Sequence, residues 1–140
     1  MDTIRYDTRK DLPCDQLHEL FVKVGWSDGQ TPPPDILNHF NIGFLNSTIV
    51  VSAWKNEQLI GCVRVLSDKI FRSVIYDLAV MPEYQGQGIG RELLRRCMAY
   101  FPESEWLIQT KPHIVDYYQK MGFEIYHDAV LTIPCALFDQ

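Results

Sequence analysis

Apolar residues recur with two different periods along this chain, and the change of period predicts its secondary structure. Near the N-terminus, Leu17, Leu20, Phe21 and Val24 follow the i, i+3, i+4, i+7 spacing of an amphipathic helix. Gly25 follows directly and predicts the end of that helix. The prolines at 32–34 then exclude a helix interior.

A second, short helix precedes a change to the alternating pattern of strands. Asp35 is a suitable N-cap for a second, short helix carrying Leu37, Phe40 and Phe44. Residues 48–54 and 58–66 are rich in β-branched side chains and flank a polar turn, which predicts a hairpin. A third strand is expected at 73–80, and a short strand is expected at 3–6 in front of the first helix.

The second half alternates again between helix and strand. A strong amphipathic helix is predicted from Ile89, followed by a strand at 105–110 and a helix at 113–121 that Gly122 ends. Final strands are predicted at 123–127 and 129–138, where Pro134 indicates an edge or a bulge. The order ααβββαβαββ predicts one domain over residues 1–140, of mixed α/β (α+β) class.

Composition and charge narrow the function classes. The 140 residues are 46% apolar and 22% charged, which is typical of a globular protein with an ordinary core. Thirteen basic against 18 acidic side chains give a net charge of −5, which argues against a dedicated nucleic-acid binder. We expect no membrane association, because no apolar stretch approaches the ~20 residues of a membrane helix and the N-terminus is unlike a signal peptide.

The four cysteines form neither a zinc-binding pattern nor a disulfide framework. They stand far apart and include no C-x-x-C pair: Cys14, Cys62, Cys97 and Cys135. This spacing predicts buried, reduced thiols, a cytoplasmic location and no metal site.

The chemistry is concentrated in residues 76–91. A strand ending at Val80 leads into three glycines at alternate positions, Gly86, Gly88 and Gly90, which open the helix. That helix begins without a Ser, Thr, Asp or Asn side chain as its cap, so its first backbone N–H groups are available to a ligand. Free N–H groups at the positive end of a helix dipole predict a site for a phosphate or pyrophosphate.

Two common phosphate-binding motifs do not fit this loop. A P-loop would have Gly-Lys-Ser or Gly-Lys-Thr where Arg91 and Glu92 follow the glycines. A dinucleotide fingerprint needs G-x-G-x-x-G in an early βαβ unit, whereas the spacing here is G-x-G-x-G after three strands. The pattern that remains is Gln85-x-x-Gly88-x-Gly90 directly after the strand.

Residues 78–94, from Leu78-Ala79-Val80 through Gly90 to Leu94, resemble the acetyl-CoA-binding motif of the GCN5-related N-acetyltransferase (GNAT) superfamily. Residues 116–123, Asp-Tyr-Tyr-Gln-Lys-Met-Gly-Phe, are similar to a second signature of that family. The order of elements also matches over nearly the whole chain. The resemblance implies a small, bacterial-type GNAT domain with a mostly antiparallel mixed sheet, flanking helices and strands splayed at the cofactor site.

Roles for individual residues come with the resemblance. The pyrophosphate of acetyl-CoA would lie on the backbone amides of Gly86, Gln87, Gly88, Ile89, Gly90 and Arg91, with the Ile89 side chain turned into the core. The pantetheine arm would run along the backbone of Leu78, Ala79 and Val80, where strand 73–80 separates from strand 105–110. An N–H group near Val80 would stabilise a developing oxyanion, and Tyr118 would protonate the leaving thiolate.

Several residues keep two interpretations. Tyr118 is either the general acid or a core tyrosine, and Asp77 either holds the acceptor's ammonium group as a catalytic residue or receives local hydrogen bonds. His113 is either a general base or a solvated residue of a first helical turn. The three arginines of the helix, Arg91, Arg95 and Arg96, either form its solvated face or include one that touches the cofactor's outer phosphate. Lys120 is the alternative residue for that contact.

The predicted activity is therefore acetyl-CoA-dependent transfer of an acetyl group directly to a primary amine of a small molecule. Alternatives are an acyltransferase for a protein N-terminus or a lysine, and an acyl-CoA-binding sensor without turnover. The resemblance implies an acceptor region that includes the loop after the first helix, where Trp26 either lines the acceptor pocket or fills the core and Asp28 would add charge. The acidic net charge favours a cationic acceptor. By analogy with the family, residues 129–138 are a candidate surface for a homodimer.

Overall fold

The computed structural model describes residues 3–137, which divide into two compact units, one up to Gln109 and one from Thr110 onward. In the first unit, five strands form one sheet in chain order: β1 (Ile4–Asp7), β2 (Ile49–Lys55), β3 (Gln58–Ser67), β4 (Arg72–Val80) and β5 (Glu105–Ile108). Neighbouring strands from β1 to β4 are antiparallel, and β5 is parallel to β4. The predicted mixed and mostly antiparallel sheet is confirmed.

Four helices of the first unit accompany this sheet: α1 (Cys14–Lys23), α2 (Pro34–Leu37), α3 (Ile42–Leu45) and α4 (Ile89–Met98). The predicted end of α1 is confirmed, because Gly25 adopts the left-handed conformation (φ 86°) just beyond the helix. No helix among residues 3–137 is long and apolar enough to cross a membrane.

The single helix predicted after Asp35 is wrong, since two separate four-residue helices occupy this segment. Pro34 takes the first helical position, which suits its fixed φ and missing N–H, and Pro33 is the N-cap. Asp35 accordingly lies within the first turn and is not the cap.

The helices cover both faces of the sheet. A Cβ on Gly61 would lie 3.4 Å from Leu93 Cδ1 of α4, whereas the guanidinium of Arg64 lies against Gly43 and Phe44 of α3. Positions 61 and 64 of one strand point to opposite faces, so α3 and α4 pack on opposite sides of β3. The α1 residue Phe21 contacts Phe40 and Phe44, which places α1 on the α3 side.

Burial explains why the middle strands read as continuous apolar runs. All of Ile49 to Trp54 in β2 is buried, so both faces of this strand are covered. The buried side of α4 consists of Ile89, Leu93, Leu94 and Cys97. Cys62 and Cys97 are buried as predicted, but Cys14 is half-buried and Cys135 is exposed.

The second unit corrects part of the prediction. Its helix is shorter than the predicted 113–121: a 3₁₀ turn at Pro112–Ile114 precedes α5 (Val115–Gln119), and Gly122 follows in the left-handed region at φ 102°. The strands predicted at 123–127 and 129–138 are wrong for the described residues, none of which is in a strand there. Residue 138 lies outside the described residues.

The failure of these two strands has a physical reason. Their apolar side chains remain exposed, including Leu131 (92%) and Ile133 (97%). Strand preference expresses packing on a pleated, half-buried surface, and it does not act without a partner strand. Pro134 also removes a backbone donor from the second segment.

Candidate functional site

Within the first unit, strand β4 has an open edge at its C-terminal end, where no described strand pairs with it. Its parallel pairing with β5 runs from Arg72 opposite Glu105 to Ile75 opposite Ile108, where β5 ends. β4 continues to Val80, still paired on its other side with β3. The predicted separation of these two strands is confirmed, with β5 ending two residues earlier than the predicted position 110.

The backbone of Val80 points toward that open edge. The N–H of Met81 donates to the carbonyl of Ile60 at 2.8 Å, which makes residues 81 and 60 a hydrogen-bonded antiparallel pair. Pairs alternate along an antiparallel ladder, so the adjacent pair, Val80 opposite Gly61, directs its N–H and C=O groups outward. The Val80 N–H is therefore available to a ligand lying along β4.

A bulge in β4 precedes this edge. Cys62 pairs with Ala79 and Arg64 pairs with Tyr76, so Asp77 and Leu78 together face the single residue Val63. Asp77 is left-handed, with φ 55°. Its carboxylate oxygen Oδ2 accepts a hydrogen bond from Arg64 Nε at 2.6 Å, and both side chains are mostly buried.

The glycine loop connects β4 to α4. A 3₁₀ turn at Pro82–Tyr84 leads to Gln85, whose Nε2 donates back to the carbonyl of Val80 at 2.9 Å. Gly86 and Gly88 are both left-handed, at φ 82° and 85°, and a Cβ on either would meet nothing within 4 Å. Open space at these glycines lets a ligand approach the backbone closely.

Gly88 is the N-cap of α4, and the first turn of the helix leaves amides free to bind an anion. The Glu92 N–H is bonded to the Gly88 carbonyl, so the earlier N–H groups, through that of Arg91, have no intrahelical acceptor. Ile89 is buried and turned into the core as predicted, while residues 86–88 are exposed. The residues present thus fit a pyrophosphate group.

The arginines of α4 differ in their surroundings. Arg95 and Arg96 both donate to the Glu92 carboxylate, and the guanidinium of Arg96 lies 4.4 Å from the Tyr6 ring centre. These hydrogen bonds and charges hold the pKa of Glu92 below its ordinary value. Arg91 is exposed and, within the described part of the chain, its guanidinium is not engaged by the Glu92 carboxylate as those of Arg95 and Arg96 are.

The sequence of this region matches a known protein family. Residues 46–125 match the model of the acetyltransferase (GNAT) domain, and that stretch contains β2 to α5 with the entire glycine loop. The chain belongs to the GNAT family. It is therefore an N-acetyltransferase domain, and the family uses acetyl-CoA as its acetyl donor.

Individual relatives agree with this assignment. The GNAT chain is 28% identical over 127 residues to an uncharacterized N-acetyltransferase (ycf52) of Pyropia yezoensis, covering 86% of this chain and 70% of the relative. A solved structure of a probable acetyltransferase from Staphylococcus aureus superimposes with a TM-score of 0.78 at 21% identity, covering 95% and 100% of the two chains. This superposition confirms the fold.

A second solved structure is that of an aminoglycoside acetyltransferase from an uncultured soil metagenomic sample. It is 26% identical to this GNAT chain, with a TM-score of 0.67 and coverage of 95% of each chain.

Tyr118 of this GNAT domain lies on α5 in the second unit. It is buried, and its ring packs edge-on against Tyr117 at 5.1 Å and Phe123 at 5.8 Å. Burial, followed by the charge of Tyr117, raises the pKa of Tyr118 to about 12. The hydroxyl therefore stays protonated throughout the neutral and mildly alkaline range. Its predicted role as general acid stays a prediction.

Two other candidates are exposed. His113 lies on the 3₁₀ turn before α5 and is exposed, and a base function for it stays a prediction. Trp26 is half exposed and packs edge-on against Phe21 at 5.0 Å. Its predicted place in the acceptor region is likewise an open prediction.

Sequence reasoning did not identify Arg64 as part of this region. The signal was present, because Arg64 is the single charged residue in the otherwise apolar stretch 59–66, and Asp77 interrupts the next strand. Two opposite charges on adjacent antiparallel strands are expected to pair, since a buried charge needs a partner. The pairing of Arg64 with Asp77 does not follow from the sequence, because the bulge shifts the register between their two strands.

Proposed function

We propose that this GNAT enzyme transfers the acetyl group of acetyl-CoA directly to a primary amine of a small molecule in the cytoplasm. The observation that carries the proposal is that the glycine loop connects the open β4 edge directly to the N-terminus of α4, which has no side-chain cap. The strand edge suits an extended arm that contains amides, and the helix N-terminus suits a pyrophosphate. Coenzyme A carries these two parts in the same order along its length.

The donor-binding residues are proposed as follows. The amides of α4's first turn and of the loop hold the pyrophosphate through backbone N–H groups: Gly86, Gln87, Gly88, Ile89, Gly90 and Arg91. The backbone of Leu78, Ala79 and Val80 pairs with the pantetheine arm as an additional strand would. These roles are supported by the outward direction of the Val80 N–H and by the open space at Gly86 and Gly88.

The proposed reaction uses few side-chain groups. A neutral amine attacks the thioester carbonyl, and the Val80 N–H stabilises the negative charge that develops on the carbonyl oxygen. The C–S bond of the thioester then breaks, and the departing thiolate takes a proton from Tyr118. The acetylated nitrogen loses its extra proton to water, water returns a proton to the tyrosinate, and no metal is required. Support for Tyr118 is its place in the second family signature and a pKa that keeps it protonated at neutral pH.

A catalytic role for Asp77 is compatible with this scheme but has a competitor. Its carboxylate already accepts a 2.6 Å hydrogen bond from Arg64, so an acceptor's ammonium group would have to share it.

The choice of a small cationic acceptor rests on two observations. The net charge of −5 favours positively charged substrates, and the 26% identical metagenomic structure is an aminoglycoside acetyltransferase. A protein N-terminus or a lysine side chain is the alternative acceptor.

The experiment is a screen for release of the coenzyme A thiol from acetyl-CoA with matched amines. The panel contains spermidine, an aminoglycoside, a lysine-containing peptide blocked at its N-terminus and a peptide with a free N-terminus. The proposal predicts turnover with spermidine or the aminoglycoside and a large loss in Tyr118→Phe. Turnover with a peptide alone would replace the small-molecule acceptor, and binding of acetyl-CoA without turnover of any amine would favour an acyl-CoA sensor.

A further inference from the structure

The left-handed backbone of Asp77 requires an explanation, because β4 is otherwise a regular strand. An L-residue with a Cβ disfavours φ 55°, although aspartate tolerates it better than most. Two contacts fix this residue: its carboxylate accepts from Arg64 Nε, and its carbonyl accepts from the thiol of Cys62 at 3.4 Å. Both come from β3, so the bulge is tied to the neighbouring strand.

The Arg64 guanidinium is itself held on several sides. It lies 5.7 Å from the ring centre of Phe44 and 5.1 Å from that of Tyr76, and its Nη1 is 3.5 Å from the hydroxyl of Ser47. A Cβ on Gly43 would lie 3.1 Å from its Cζ, a tighter contact than most side chains make, so the glycine leaves the guanidinium room in its present place. The guanidinium therefore offers Asp77 a donor in a fixed place.

The bulge decides where the Val80 N–H points. With Asp77 and Leu78 facing Val63 together, Val80 falls opposite Gly61, in the pair whose groups point outward. Removing the extra residue from the pairing would shift the later residues by one position, and such a slip reverses the direction of every group that follows. The Val80 N–H would then face β3 and be lost to a ligand at the open edge.

We propose that Arg64 is a positioning residue, whose ion pair with Asp77 holds the β4 bulge that turns the Val80 N–H toward the bound donor. This inference rests on the proposed function, which gives that N–H to the thioester carbonyl. Arg64 touches neither donor nor acceptor in this assignment, and Asp77 acts through its backbone conformation.

The test follows backbone amide resonances of ¹⁵N-labelled protein as acetyl-CoA is added. Val80 reports the open edge, and Gly90 reports the pyrophosphate site. The variants are Arg64→Met, which keeps an apolar stem against Phe44 and Tyr76, Asp77→Ala, Asp77→Gly, and the combination of Arg64→Met with Asp77→Gly. Glycine adopts a positive φ without the ion pair, whereas alanine does not.

The Val80 shift is expected to be lost in Arg64→Met and in Asp77→Ala, and kept in Asp77→Gly and in the double variant, while Gly90 shifts in all four. An unchanged Val80 shift in Asp77→Ala would overturn the inference, as would its loss in Asp77→Gly. If Arg64→Met does not fold, the contrast between alanine and glycine at position 77 decides alone. Absence of both shifts in the unsubstituted protein would instead contradict donor binding, and hence the proposed function.

Discussion

The side chain of Gln85 reaches back to the end of β4, where its Nε2 donates to the carbonyl oxygen of Val80 at 2.9 Å. This contact joins the last residue of the open edge to the loop that begins the glycine segment. The two parts of the proposed donor site, strand edge and helix N-terminus, are thereby held in one arrangement before a ligand binds.

Replacing Gln85 by alanine should loosen that arrangement. Loss of one hydrogen bond of this kind costs about 0.5–1.5 kcal/mol, which corresponds to a roughly 2- to 10-fold rise in the Kd for acetyl-CoA. Isothermal titration calorimetry measures this rise. Gln87→Ala is the matched control, because Gln87 is exposed in the same loop and is proposed to act only through its backbone. Equal Kd values for the two variants would contradict the role given to the Gln85 side chain.

Gly88→Ala should separate backbone strain from ligand exclusion. Gly88 and Gly25 have almost the same left-handed φ, 85° and 86°, and a Cβ on either meets nothing within 4 Å. Each alanine should therefore destabilise the fold by a similar amount, about 1–2 kcal/mol, as measured by urea unfolding.

The two alanines should differ in binding. Only at position 88 would the added Cβ stand at the proposed pyrophosphate site, so Gly88→Ala should weaken acetyl-CoA binding about tenfold or more and Gly25→Ala should not. If both variants weaken the binding of acetyl-CoA equally, the loss of affinity comes from lower stability, and the glycine loop is only a turn.

Stability at alkaline pH should depend on Tyr118. Its pKa is raised to about 12 from 10.0, so below pH 10 the hydroxyl is protonated in both folded and unfolded chains and its contribution is complete. Between pH 10 and 12 the unfolded chain loses this proton first, and stability falls as pH rises. At pH 11 the loss is on the order of 1 kcal/mol.

Tyr118→Phe should lack this part of the alkaline decline, because phenylalanine does not titrate. Urea unfolding of both proteins at pH 9 and pH 11 tests it, and the difference between them cancels the buried thiols of Cys62 and Cys97, whose pKa values are also raised. Parallel declines in the two proteins would show that Tyr118 is solvated like an ordinary tyrosine.

Gly61→Ala tests how closely α4 approaches the strands of the site. Its Cβ would lie 3.2 Å from the Ala79 carbonyl oxygen and 3.4 Å from Leu93 Cδ1, in a packed interior where added volume costs about 1–3 kcal/mol. We expect lower stability by urea unfolding and a higher Kd for acetyl-CoA, because Ala79 belongs to the open edge. A neutral effect on stability would mean that the interior relaxes around the methyl group.

The sequence predicted the parts of this fold that rest on local pattern. The helix from Ile89 and strands β2 to β4 appear close to their expected bounds, because buried faces impose strict periods on residues. The glycine loop was equally predictable from the sequence, because the left-handed conformation of the N-cap residue Gly88 favours glycine.

Features that depend on partners distant in sequence were missed or wrong. The strands expected after Phe123 are absent from the described residues. Alternation of apolar and polar residues gives only a preference for extended structure, and a strand forms when the segment pairs with a neighbour. The Arg64–Asp77 ion pair depends on a bulge that no local pattern reveals. The Pro34 start of α2 was misjudged because proline at the first helical position displaced the expected cap.

Thermal unfolding with acetyl-CoA, desulfo-coenzyme A or ATP, at matched concentrations, tests donor binding most directly. A ligand that binds only the folded state stabilises it, by about 2.7 kcal/mol at a hundredfold excess over its Kd. We predict a clear rise in Tm with both coenzyme A compounds, a rise reduced by Gly88→Ala but not by Gly25→Ala, and no rise with ATP. An unchanged Tm with acetyl-CoA and desulfo-coenzyme A would contradict the donor site at the open edge of β4 and the N-terminus of α4.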